Sequence, residues 1–121
     1  MTSEKSALHA HAPVEIQWRG DLRFEAGRPD GPKVLIDGDT EAGPGPFDTL
    51  LAATAACAGT DIVEIMKKQR TPLQAMSVRV EAHRVPEVPR RMASAVLHFR
   101  LQGEGITPEK AARAVQLSVA K

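Results

Sequence analysis

A chain of 121 residues with 16 basic and 15 acidic side chains is close to neutral, which argues against nucleic acid or an anionic membrane surface as a partner. Three phenylalanines, one tryptophan and no tyrosine leave no stacking platform for single strands. The length suits one domain burying about two-thirds of its unfolded surface, and a single cysteine excludes a disulfide framework and fits a reducing, cytoplasmic setting.

Residues 1–12 are polar and aperiodic and read as a loose tail, with no apolar signal-peptide core. Val14, Ile16 and Trp18 alternate with Glu15, Gln17 and Arg19, which predicts a strand. Gly20-Asp21 supplies a turn, and Leu22, Phe24 and Ala26 alternate with Arg23 and Glu25, closing a hairpin. After the turn from Gly27 to Pro32, Lys33 to Asp37 forms a third short strand, and the glycine-rich stretch from Gly38 to Gly45 is a loop.

A long helix follows. Gly45 suits its N-cap, Pro46 its first position, and Asp48 its first turn. Lys67, Lys68 and Arg70 complement the far end of the dipole, and Thr71-Pro72 stops the helix. Roughly 24 residues give a length near 36 Å, long for so small a domain, which suggests a central helix shared with a second subunit. Its longest apolar stretch, Leu50 to Gly59, falls short of the ~20 residues a membrane span needs. Two strands follow, one with Met76, Val78, Val80 and Ala82 inward, the next with Ala93, Ala95, Leu97, Phe99 and Leu101 inward, joined by a loop from Pro86 to Pro89. Thr107 and Pro108 open a last helix that runs toward Lys121. The order β-β-β-α-β-β-α makes residues 13–121 an α+β domain of two hairpin-plus-helix units.

Cys57 lies in the middle of the long helix among Ala55, Ala56, Ala58 and Gly59. It is either an inert buried residue or a reactive thiol. A free thiol ionises near a pKa of about 8.5, so a reactive one needs a cation nearby. The helix N-terminus is too distant to serve, and Asp61, one turn onward, opposes ionisation. An arginine from elsewhere must reach it, Arg23 first and Arg19 second. His9 and His11 make a poor metal site, His83 and His98 read as surface residues, and Met66 and Met76 read as core. No metal site and no cofactor motif is visible.

The run from Gly43 through Pro46 and Phe47-Asp48 to Ala55-Ala56-Cys57 resembles the central-helix motif of the OsmC/Ohr family, in which the peroxidatic cysteine lies eleven positions after the proline, as Cys57 does after Pro46. Trp18 to Phe24 resembles the family's first hairpin, and Thr107 to Ala111 the start of its last helix. The resemblance implies an intertwined homodimer with central helices packed at the interface. It implies that Cys57 reduces organic hydroperoxides and is regenerated by an external thiol or lipoyl-type dithiol. Arg23 or Arg19 would hold the thiolate, Asp48 would orient the arginine or serve only the first turn, and Phe47, Trp18 and Leu51 would form an apolar entrance.

Two departures bear on this. The family's second cysteine, in the last helix, has no counterpart up to Lys121, and the chain is expected to continue beyond it. Phe47 stands ten positions before Cys57, where the family has a glutamate. That substitution favours the rival reading, a non-catalytic dimer of the same fold that binds a small apolar ligand.

Overall fold

The computed structural model describes residues 8–88 and 91–119. The seven elements occur in the expected order. The chain divides into two compact units, residues 1–49 and 50–121. The tail expected over residues 1–12 falls partly outside the described residues, as do the end of the loop after Pro86 and the last two residues. Residues 8–14 carry no regular structure and are exposed.

In the first unit β1 (Glu15–Trp18), β2 (Arg23–Gly27) and β3 (Val34–Asp37) form an antiparallel sheet in that order. The period-2 pattern sets the register: Ile16 pairs with Ala26, Trp18 with Phe24, and Phe24 with Ile36, so the apolar side chains share one face. Gly20 and Asp21 both take positive φ, 95° and 47°, as a tight turn between twisted strands requires. On the opposite face Arg23 sits directly across from Asp37.

In the second unit β4 (Ala75–Arg84) and β5 (Met92–Gln102) pair antiparallel from Ala75 opposite Gln102 onward, with one irregularity between His83 and Arg84. Helix α1 (Pro46–Lys68) begins in the first unit and contributes most of its length to the second. Its buried residues Ala55, Ala58, Gly59, Ile62 and Met66 follow helical spacing and form one stripe. Ile62, Met66 and Ala114 of α2 (Pro108–Val119) make the core, and Leu73, Met76, Phe99, Leu101, Ile106 and Val115 pack against it. Met66 and Met76 thus take the core roles expected of them. A Cβ on Gly59 would stand 3.2 Å from Met76 Cε, so the bare backbone here admits the methionine.

The whole of α1, with a mean hydropathy of 1.4 in its most apolar window, is long and apolar enough to cross a membrane by length and composition. The apolar residues Ile62, Val63, Ile65 and Met66, beyond Asp61, extend the stretch past Gly59, and a core helix passes the same test. Full burial of Ile62 and Met66 within the unit's own core shows how a packed helix acquires such a composition.

The C-terminus of α1 closes as a Schellman motif: Thr71 N–H donates to Met66 O and Arg70 N–H to Lys67 O, both at 3.0 Å. Arg70 occupies the left-handed position at φ 61°, where glycine carries no Cβ penalty. Arg70→Gly is therefore expected to stabilise the fold by about 0.5–1 kcal/mol, after allowance for the freer unfolded chain. An upward shift of the urea midpoint at constant slope is the corresponding measurement.

Candidate functional site

Gly45 caps α1 as the sequence implied: Thr49 N–H donates to Gly45 O at 2.9 Å and the Thr49 hydroxyl to the same oxygen at 2.7 Å. Asp48 Oδ2 accepts the Gly45 N–H at 3.0 Å, the return half of a capping box. Of the two roles open to Asp48, this contact belongs to the first-turn role, and its negative charge complements the helix dipole.

Cys57 is exposed, not buried. It lines an open groove of about 620 Å³ together with Thr54, Ala58, Thr60 and Asp61 of α1, Leu97 of β5, and Ser118 and Val119 of α2. Small residues along α1 leave the space, and Leu97 and Val119 give it apolar walls. The groove's hydroxyls are turned back on their own helices: Thr54 Oγ1 donates to Leu50 O at 2.9 Å, Thr60 Oγ1 to Ala56 O at 2.8 Å, and Ser118 Oγ to Val115 O at 2.7 Å. The Cys57 thiol and the Asp61 carboxylate also lie at this surface. Among the described residues, no lysine or arginine lines it.

The other sequence-selected residues lie in the first unit, apart from Leu51, which is half-buried in the second. Trp18 is 66% exposed and donates Nε1–H to Asp21 O at 2.9 Å. Phe47 is half-buried. Arg19 pairs with Glu25 at 2.7 Å, both well exposed, a contact worth little by itself. Arg23 Nε donates to Asp37 Oδ2 at 3.3 Å. The carboxylate beside Arg23 is thus Asp37, where the sequence pointed to Asp48.

Asp37 is 1% exposed and was not singled out from the sequence. Oδ1 accepts Asp39 N–H at 2.9 Å; Oδ2 accepts Ala42 N–H at 2.9 Å and Glu41 N–H at 3.2 Å. The Ala42 and Asp39 amides chiefly, with Glu41 and the Arg23 charge adding to them, hold its carboxyl below the usual range despite the opposing effect of burial. A readable signal existed: an aspartate ending a strand before Gly-Asp-Thr is an Asx-turn former.

His83 and His98 are exposed, and His98 Nε2 lies 3.3 Å from Glu81 Oε1, a surface contact. Among the described residues no cluster of three or more His, Cys, Asp or Glu side chains has metal-binding geometry.

Residues 37–121 match the family described as OsmC-like protein. The chain is similar to protein YhfA of Escherichia coli K12, 31% identical over 109 residues that cover 89% of this chain and 81% of that one. Its fold is similar to an OsmC-like protein of Mycoplasma pneumoniae, with TM-score 0.80 at 14% identity over 94% of this chain and 84% of that one. It is also similar to the organic hydroperoxide resistance protein OhrB of Bacillus subtilis, with TM-score 0.56 at 19% identity over 90% and 83% of the two chains. At those identities the two structures speak for the fold alone.

Proposed function

The chain belongs to the OsmC-like protein family, and on that premise we propose that it is a cysteine-dependent peroxidase acting on organic hydroperoxides in oxidative stress defence. The observation that carries this reading is the placement of its one thiol, exposed at an open groove with apolar walls. The Cys57 thiolate attacks the outer peroxide oxygen. The O–O bond breaks, the sulfur gains one oxygen as a sulfenic acid, and the alkoxide leaves as an alcohol after taking up a proton. The apolar walls that Leu97 and Val119 give the groove favour an alkyl or aryl hydroperoxide over hydrogen peroxide.

Among the described residues the groove lining supplies no cation, and the thiolate's partner in this reading is a guanidinium brought by the assembled protein. Arg23 is the first choice and Arg19 the second. The assembly is a homodimer that pairs the exposed sides of its α1 helices. An external thiol or lipoyl-type dithiol returns the sulfenic acid to the thiol, and the reducing cytoplasm is the setting that supplies one.

Phe47, and a groove with no cation among its described lining residues, favour a second reading: a dimer of the same fold that holds a small apolar ligand without catalysis. Alkylation of Cys57 by iodoacetamide at pH 6 separates the two. A peroxidase is expected to react at least about tenfold faster than free cysteine at that pH, because a cation held close favours the thiolate. A rate equal to that of free cysteine contradicts catalysis and leaves the binding role.

A further inference from the structure

The geometry points to a binding site for a phosphate dianion, free or as a small monoester, on the face of the β4–β5 pair turned away from the second unit's core; the site stands apart from the reaction assigned to Cys57. Met76, Phe99 and Leu101 pack against the core. The period-2 alternation therefore turns Ser77, Arg79 and Glu81 of β4, with His98 and Arg100 of β5, to the other face, where all five are exposed. Ser77 stands opposite Arg100 and Arg79 opposite His98, in a ladder unbroken from Ala75 to His83. A recess of about 360 Å³ opens over these four side chains.

Glu81 is in register with Val96, yet its Oε1 lies 3.3 Å from His98 Nε2, so side chains meet along this diagonal of the twisted pair. Arg79 and Arg100 occupy the same diagonal one step along, because Arg79 is in register with His98 and Arg100 follows it by two residues. The diagonal that joins Glu81 to His98 thus brings two guanidinium groups to one place, where like charges repel. Glu81 offsets only part of this: its Oε2 lies 3.1 Å from Arg79 Nη2, and its other oxygen faces His98. Arg100 and the Ser77 hydroxyl make no side-chain hydrogen bond or ion pair among the described residues. Charge complementarity selects the occupant. A carboxylate offers two oxygens in one plane and is satisfied by one guanidinium fork, whereas a phosphate dianion offers oxygens in several directions and a charge that matches two arginines. The Ser77 O–H, beside Arg79 on its own strand and opposite Arg100, supplies a further donor. Paired strands hold these donors in fixed register, as a recognition site requires.

Isothermal titration of the purified full chain at low ionic strength with inorganic phosphate, phenyl phosphate and acetate tests the assignment. Saturable binding of one phosphate species per chain is expected, with acetate weaker by about tenfold or more, since it engages one arginine rather than two. The tighter of the two phosphate probes distinguishes the free ion from the ester as the source. Arg79→Gln and Arg100→Gln should each weaken binding by about tenfold, the loss of one charge-assisted contact. Glu81→Gln removes the competing carboxylate and should tighten it. Arg113→Gln on α2 lies outside the recess and serves as the control for net charge, with an expected change of less than about twofold. All these side chains are exposed, so the variants should keep the parent's far-UV spectrum. No saturable phosphate binding below about 10 mM overturns the site. Acetate binding as tightly as phosphate, or a loss for Arg113→Gln equal to that for Arg100→Gln, also overturns it, because either result describes a diffuse positive field.

Discussion

Cys57→Ser is expected to reduce cumene hydroperoxide turnover to the uncatalysed background, a loss of more than about a thousandfold, because the nucleophile is the chemistry rather than an aid to it. A serine hydroxyl is scarcely ionised near neutrality, and its oxygen forms no product comparable to a sulfenic acid. The change removes one sulfur from an exposed position on α1, so the fold should be unaffected. A coupled assay with a lipoyl dithiol as reductant and alcohol formation as readout gives the comparison. Retention of more than a few per cent of activity in a folded Cys57→Ser variant would remove Cys57 from the reaction.

The largest effect on stability is expected at Ile62. It is fully buried, and with Met66 and Ala114 it forms the centre against which β4, β5 and α2 pack. Ile62→Ala should cost about 2–5 kcal/mol, the lost transfer of the deleted carbons plus the cavity they leave. Ile62→Val should cost about 0.5–1.5 kcal/mol by the same reasoning. Alanine is the better helix former, so the loss measures packing and not helix propensity. Against a total stability of about 5–15 kcal/mol the first change is severe. Urea unfolding of the two variants should show graded midpoints; equal midpoints would mean that Ile62 is not where the unit's stability resides.

Much of the architecture was legible because its signals are local. Gly45, Pro46 and Asp48 specify one helix start, and Thr107 with Pro108 specifies another: Lys110 N–H donates to Thr107 Oγ1 at 3.2 Å. Alternation through Trp18 and Phe24 marked the first two strands, and the pairing sets Trp18 opposite Phe24 and Phe24 opposite Ile36. The helix end shows where such signals stop. Thr71-Pro72 marked the breaker, yet α1 already closes at Lys68, because Arg70 takes a left-handed conformation that an arginine does not advertise.

The candidate site was legible in its centre and obscure in its surroundings. Cys57 stood out as the lone thiol, but the walls beside it come from Leu97, Ser118 and Val119, distant in sequence and ordinary in type. Asp37 escaped notice because its partners are mainly backbone amides, which carry no residue signature. Asp48 drew attention as the acid nearest the expected position, although the demand on it is met by one amide of the preceding loop.

Intact mass of the full chain before and after one equivalent of cumene hydroperoxide puts the claim of a peroxidatic Cys57 to the most direct trial. The account predicts a gain of one oxygen, localised to the peptide bearing Cys57 and reversed by a dithiol, with stoichiometric release of the alcohol. An unchanged mass, with the hydroperoxide recovered intact, would contradict it.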